Sequence, residues 1–253
     1  MITKLEISST DYLDRAESPV EGADPRWKSL YIVGGIACVA SVIIIVLGFA
    51  AYFIWPYAPG RITMAKIFET IQNDWLGGLV ALDFFLLLGN LVSILVFVAL
   101  YAALRQVNQS YALIALVLGL IGLAVIVPAR PIAEMFSLSN LYATAANEAE
   151  KSRYLAAGEA LLATFNGTGW IVNTFLGTLS LLTSAVLMLR GNVFSKATAY
   201  VGIVTNGVTL GFFLPGIGIF LLFLSLPFMV VWDLQLARRF FQLGRLESKA
   251  RPQ

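Results

Sequence analysis

Residues 30–55 read LYIVGGIACVASVIIIVLGFAAYFIW, 26 residues without a charged side chain. At about 1.5 Å per residue, a helix of this length exceeds a bilayer core of about 30 Å, so it spans with a tilt or runs past the interface. Pro56, Pro59 and Gly60 then break it. The chain around it has the same character. Of 253 residues, 58% are apolar and 13% charged, against about a quarter charged in ordinary soluble domains. Composition alone therefore places the chain in the membrane class.

There are no histidines and one cysteine, Cys38, within that first apolar run. Haem ligated by histidine, a His/Cys zinc site, a Ser-His-Asp triad and an intrachain disulfide are all excluded by inventory. No cofactor is expected, and Cys38 reads as a small buried apolar residue.

Five more apolar spans follow the first: Phe84 to Leu104 (with a start as early as Trp75), Tyr111 to Ala129, Gly169 to Leu189, Ala197 to Phe213 and Ile217 to Ala237. The expected fold is all-α, a polytopic bundle of six transmembrane helices with an outer amphipathic helix. Residues 1–28 form a polar, mobile cytoplasmic arm, 29–237 the membrane domain and 238–253 a basic cytoplasmic tail that contacts anionic headgroups. No cleavable leader pattern precedes the first span, which reads as an uncleaved anchor. Between spans one and two, Met64, Ile67, Phe68 and Ile71 share one face of a short interfacial helix.

Orientation comes from the basic residues. One side of a six-span chain carries Lys4, Arg15, Arg26, Lys28, Arg105, Arg190, Lys196, Arg238, Arg239, Arg245, Lys249 and Arg251; the other carries Arg61, Lys66, Arg130, Lys151 and Arg153. The positive-inside bias puts both termini in the cytoplasm of a cell-membrane protein. Trp27, Trp55, Trp75, Trp170 and Trp232 all lie near span ends, where an indole is half wet.

The polar segment from Pro128 to Thr168 separates the two sets of three spans. Within it, Asn147 and Glu150 are set to cap a helix whose apolar stripe is Tyr154, Leu155, Gly158, Leu161, Leu162 and Phe165. Asn166-Gly167 ends that helix and Thr168 caps the next. A faint repeat relates Leu104-Arg105, Ser110, Ala112 and Gly122 to Leu189-Arg190, Ser195, Ala197 and Gly207; similar capping needs at two turns are the stronger account of it. The glycines Gly34, Gly35, Gly119, Gly122, Gly177, Gly202 and Gly207 suit close helix packing.

Ionisable and amide groups at membrane depth form the candidate polar site. Asp83 precedes the turn at 105–110 by about the distance that Arg130 follows it, so the two should meet at one depth, with Glu134 one helical turn further and able to share the arginine. Asn90 shares a helix face with Asp83, and Asn173 and Asn206 lie in spans four and five. A salt bridge locking a hairpin and interhelical amide bonds explain all six; a polar cavity between spans two, four and five is the alternative. Asp233 is expected to pair with Arg105 or Arg190.

Four runs carry a family likeness. Ala102-Ala103-Leu104-Arg105-Gln106-Val107-Asn108, Leu155-Ala156-Ala157-Gly158-Glu159-Ala160-Leu161-Leu162-Ala163, Phe194-Ser195-Lys196-Ala197-Thr198-Ala199-Tyr200-Val201-Gly202-Ile203 and Ala237-Arg238-Arg239-Phe240-Phe241-Gln242-Leu243-Gly244-Arg245 together resemble the bacterial domain-of-unknown-function family numbered 4386. The likeness covers roughly residues 75 to 245. It implies a bacterial multi-span membrane protein and brings no activity and no functional residues; Asp233 departs from the uncharged residue the family implies there.

The functional expectation is a non-catalytic structural or accessory subunit in contact with membrane lipid and other membrane subunits, and not with nucleic acid. A transporter or sensor of small molecules or ions is the alternative. An enzyme acting on lipid has only Asp83, Arg130, Glu134 and Glu159 to draw on.

Overall fold

A computed structural model describes residues 23–55 and 62–245. Among them the regular structure is all helical: α1 (Lys28–Ile54), α2 (Met64–Asn73), α3 (Trp75–Ala81), α4 (Phe84–Leu104), α5 (Gln109–Ile126), α6 (Ile132–Ala143), α7 (Glu148–Phe165), α8 (Thr168–Arg190), α9 (Lys196–Leu210) and α10 (Gly218–Gly244). Five stretches are long and apolar enough to cross a membrane: Pro25–Ile54, Phe84–Leu104, Gln109–Ile126, Glu148–Arg190 (which joins α7 to α8) and Gly218–Gly244. The expected fifth span, Ala197 to Phe213, is the 15-residue α9 followed by a 3-10 turn over Gly211–Phe213. It is not among the five.

Burial is inverted relative to a water-soluble protein. On α1, Ile36, Ile43, Val46, Leu47 and Phe53 are exposed while Gly34, Gly35, Ala37 and Cys38 are buried. On α8 and α9 the buried residues include Ser180, Ser184, Thr205 and Asn206. The three hydroxyls donate to backbone carbonyls: Ser184 to Ser180 at 3.0 Å and Thr205 to Val201 at 2.7 Å within one helix, and Ser180 to Ala115 across to α5. Satisfying polar groups internally and turning apolar faces outward is what hydrocarbon surroundings require.

The bundle closes through small residues. α1 packs on α4 and α10, α5 on α8, and α9 between α8 and α10. A Cβ at Gly34 would stand 2.3 Å from the Ala99 Cβ, and one at Gly202 would stand 2.6 Å from the Trp232 indole. Gly177 and Gly207, expected to serve the same purpose, face nothing within 4 Å. α9 starts beside Phe194, whose ring meets that of Phe240 edge-on at 5.7 Å. Past its far end, Phe212 meets Trp170 at 6.0 Å and Phe213 meets Phe175 at 5.7 Å.

At the end of the bundle where α1 finishes and α4 begins, α2, α6 and α7 pack into a second layer. Its core is Met64, Ile67, Phe68, Ile71, Leu82, Met135 and Phe165. α2 buries the four residues foreseen as one face, against protein. Gly158 lets α7 approach Phe68 and Met64 closely; a Cβ there would lie 2.8 Å from the Phe68 ring. The Asn147 side-chain oxygen Oδ1 accepts from Glu150 N at 2.9 Å, as the spacing predicts. Gly167, not Thr168, is the N-cap of α8. α6 was not separately foreseen: Pro131 restarts the chain as a new helix.

Boundaries differ from expectation where side chains tie the polar ends down. α10 continues seven residues past Ala237 because Phe240 and Leu243 are fully buried against the core. Trp232 thereby lies inside the bundle at 1% exposed. The two turns also differ: Asn108, not Ser110, caps α5 by accepting from Tyr111 N at 3.1 Å, whereas Ser195 caps α9. That shift of register leaves the faint repeat without matching caps.

The N-terminal arm is latched at its last residues; the expectation of mobility for 1–22 falls outside the described residues. Asp24 is buried, paired with Arg26 at 2.9 Å and with Arg105 at 2.8 Å. The Arg105 guanidinium also covers the Trp27 ring, 4.7 Å from its centroid. Hydrogen bonds from Arg26, with the charges of Arg26 and Arg105, hold the Asp24 carboxyl at about 2. Because this lies below the unfolded value of about 3.9, the latch stabilises the fold above about pH 4 and its contribution is lost as pH falls towards 2. Between about pH 5 and pH 2.5, the thermal midpoint in detergent is expected to drop further in the native chain than in Asp24→Asn.

Candidate functional site

The sequence places six residues in a polar site, and the structure brings four of them into pairs. Asp83 lies between α3 and α4 in a left-handed conformation, φ 57°. Aspartate is among the few residues that adopt this region with modest cost. It is the N-cap of α4 yet makes no side-chain cap bond. Its Oδ2 instead lies 3.1 Å from Nε of Arg130.

Arg130 sits just beyond α5 and its side chain is 2% exposed, against 32% for Asp83. One guanidinium nitrogen donates to the Phe165 carbonyl at 2.8 Å and to the Ala129 carbonyl at 3.1 Å. The cation lies 4.9 Å from the Phe165 ring centroid and 5.4 Å from that of Trp170. Arg130 therefore ties the start of α4 and the end of α5 to the α7–α8 junction. Among the described residues, Glu134 forms no ion pair with this arginine. It is exposed in the first turn of α6, because Pro131 redirects the chain before it.

Seven residues along α4 from Asp83, about 10 Å deeper, Asn90 Oδ1 accepts from Asn173 Nδ2 of α8 at 3.1 Å. The Asn90 amide nitrogen donates to the Leu86 carbonyl at 2.9 Å. Gly122 of α5 faces Asn173, where an added Cβ would sit 3.4 Å from its carbonyl and amide oxygens. Asn206 does not join them; its amide donates back to Gly202 of its own helix at 2.8 Å. The expected three-span site is therefore a two-helix amide bond plus a separate helix-internal one.

Other polar contacts carried no sequence signal strong enough to find. The Asp24–Arg105 pair was concealed because Asp24 sits in a polar arm. Asp74 accepts from Trp55 Nε1 and from Gly77 N, the latter at 3.1 Å, joining the end of α1 to the start of α3. The Gly77 and Trp55 hydrogen bonds keep its carboxyl below the usual range. Asp233 makes no ion pair with Arg105 or Arg190 among the described residues: Arg105 is held by Asp24, and Arg190 is exposed at the end of α8.

Chemically, this arrangement fastens helices. Among the described residues no three His, Cys, Asp or Glu side chains cluster to hold a metal ion. A surface groove of about 550 Å³ runs between α2 and α6, lined by Lys66, Glu69, Gln72 and Tyr142 among others, and Asn90 and Asn173 take no part in it. Searches against family models, curated proteins and solved structures find no match.

Proposed function

We propose that the chain is a six-span protein of the cell membrane, with both termini in the cytoplasm, that serves as a non-catalytic accessory or interaction subunit, of the bacterial kind its four runs resemble. The sixth span in this reading is α9. In its favour, α9 starts at the C-terminal ends of α8 and α10 and finishes beside Trp170 and Phe175 near the start of α8, so it runs alongside most of α8. Its 15 residues and the 3-10 turn reach about 28 Å. The excess of Lys and Arg on one side supports the orientation. α7 is the outer amphipathic helix of this reading, its stripe seated on α2.

The observation that carries the functional reading is the bonding of the candidate polar residues to the bundle itself. Asn90 and Asn173 bond each other, Asn206 bonds its own helix, and Asp83 lies against Arg130. A carrier site needs such groups turned towards a path for its cargo. Single cysteines at positions 90, 173 and 206 in a Cys38→Ser background test this with a membrane-impermeant thiol reagent. All three are expected to stay unlabelled in intact membranes. Labelling at 90 and 173 would mean a water path into the bundle and would move the reading to transport or sensing.

A further inference from the structure

The groove between α2 and α6 has no part in the bundle's own fastening. Its volume is about 550 Å³, within the range of small-molecule sites. One wall is the polar stripe of α2, where Lys66, Glu69 and Gln72 recur every three residues and line the groove together. Tyr142, at the end of α6, lines the other wall, its ring 5.5 Å from that of the buried Phe68. α6 also fixes the end of the stripe. Gln72 Nε2 donates to Ser139 Oγ and to Asn140 Oδ1, each at 2.9 Å, and Ser139 Oγ donates on to the Phe68 carbonyl at 3.0 Å. Both amide hydrogens of Gln72 are thereby used. Its Oε1 accepts no hydrogen bond among the described residues and is left as an acceptor on the groove wall. One turn earlier, Lys66 Nζ and Glu69 Oε2 lie 3.0 Å apart, and both side chains stay exposed. An exposed pair of this kind contributes little to the fold, so either charge exchanges its partner at small cost.

The groove thus presents a cation and an anion side by side, with an amide acceptor one turn beyond the anion. Its complement is a zwitterion: an anionic group for Lys66, and a primary ammonium whose N–H groups reach the Glu69 carboxylate and Gln72 Oε1. Position selects among zwitterions. Asn73 ends α2 and lines the groove, and Trp75 and Leu76 just after it are exposed, as is Leu141 beside Tyr142. An exposed indole with two leucines marks the membrane interface and sets the groove at headgroup depth. We propose that this groove binds the headgroup of a phosphoethanolamine phospholipid, its phosphate against Lys66, its ammonium against Glu69 and Gln72, and its acyl chains leaving towards Trp75, Leu76 and Leu141. A choline headgroup presents no N–H to Glu69, and a glycerol headgroup presents no cation, so both bind less well. The site rests on membrane embedding, and neither on the number of spans nor on the subunit role.

The test is native mass spectrometry of the purified, delipidated full chain in detergent. It is titrated with phosphatidylethanolamine, phosphatidylcholine and phosphatidylglycerol of one acyl composition. The native chain is expected to retain the first about tenfold better than the other two. Lys66→Gln should lose about tenfold of that retention, and Glu69→Lys should reverse the preference towards phosphatidylglycerol. Both side chains are exposed, so neither change touches the buried face of α2. Soluble glycerophosphoethanolamine at the lipid's concentration is expected not to displace it. Displacement would overturn the lipid assignment and make a soluble zwitterion the ligand. Equal retention of the three lipids, or a preference unchanged in Glu69→Lys, would overturn the site itself. These readouts do not depend on which side of the membrane the groove faces, so their failure is distinct from a failure of the topology.

Discussion

Arg130→Met is expected to lower unfolding stability in detergent by about 3 kcal/mol, the low end for removing one partner of a buried ion pair. Arg130 is nearly fully enclosed while Asp83 is about one-third exposed, so water recovers part of the orphaned carboxylate's solvation. The loss has three parts: the charge on Asp83, the hydrogen bond to the Phe165 carbonyl, and the cation over Phe165 and Trp170. The double change Asp83→Asn with Arg130→Met should be less destabilised than Arg130→Met alone, since it leaves no unpaired carboxylate. Denaturant titration of the three chains measures this directly. A change below about 1 kcal/mol for the single variant would mean that the pair behaves as a solvated surface contact.

Gly34→Leu should be comparably severe, about 3 kcal/mol, at the upper end for overpacking. The Ala99 Cβ stands 2.3 Å from where a Cβ at Gly34 would lie, and the Phe240 ring is 3.5 Å away. No rotamer relieves a clash at Cβ itself, so α1 and α4 must separate. The milder Gly34→Ala should recover when combined with Ala99→Gly, which vacates that space. Gly207→Ala serves as the control, with nothing within 4 Å of its Cβ position. It is expected to change stability by less than about 1 kcal/mol, in the stabilising direction for a helix interior. Equal losses at Gly34 and Gly207 would contradict the packing account.

Much of the fold was legible because long apolar runs have few alternatives. The helix limits of α1 and α4 follow within a residue or two from charges and prolines at their ends. The Asp83–Arg130 pairing was also legible, since antiparallel helices sharing a turn bring equidistant residues to one depth. Glu134 was misjudged because helical spacing was carried across Pro131, where the chain starts anew. Asn206 was misjudged because an amide in an apolar helix satisfies itself as readily on the carbonyl four residues back as on a neighbouring helix. Asp24 and the extension of α10 were missed for one shared reason. Charge patterning marks where water begins, but Phe240, Leu243 and the Arg105 guanidinium carry packing beyond that line. The second layer of α2, α6 and α7 was seen piecewise: its stripes were evident, and their mutual packing depends on contacts far apart in sequence.

The central claim is that α9 crosses the membrane and makes the sixth span. It is tested most directly by single cysteines at Thr144, Asn192 and Pro215 in a Cys38→Ser background, labelled with an impermeant thiol reagent before and after permeabilising cells. Asn192 lies in the turn before α9 and Pro215 just after it, and all three positions are exposed. The account predicts labelling of Thr144 and Pro215 in intact cells, and of Asn192 only after permeabilisation. Labelling of Asn192 and Pro215 from the same side would show that α9 does not cross, and would contradict the six-span topology together with the shared cytoplasmic location of the termini.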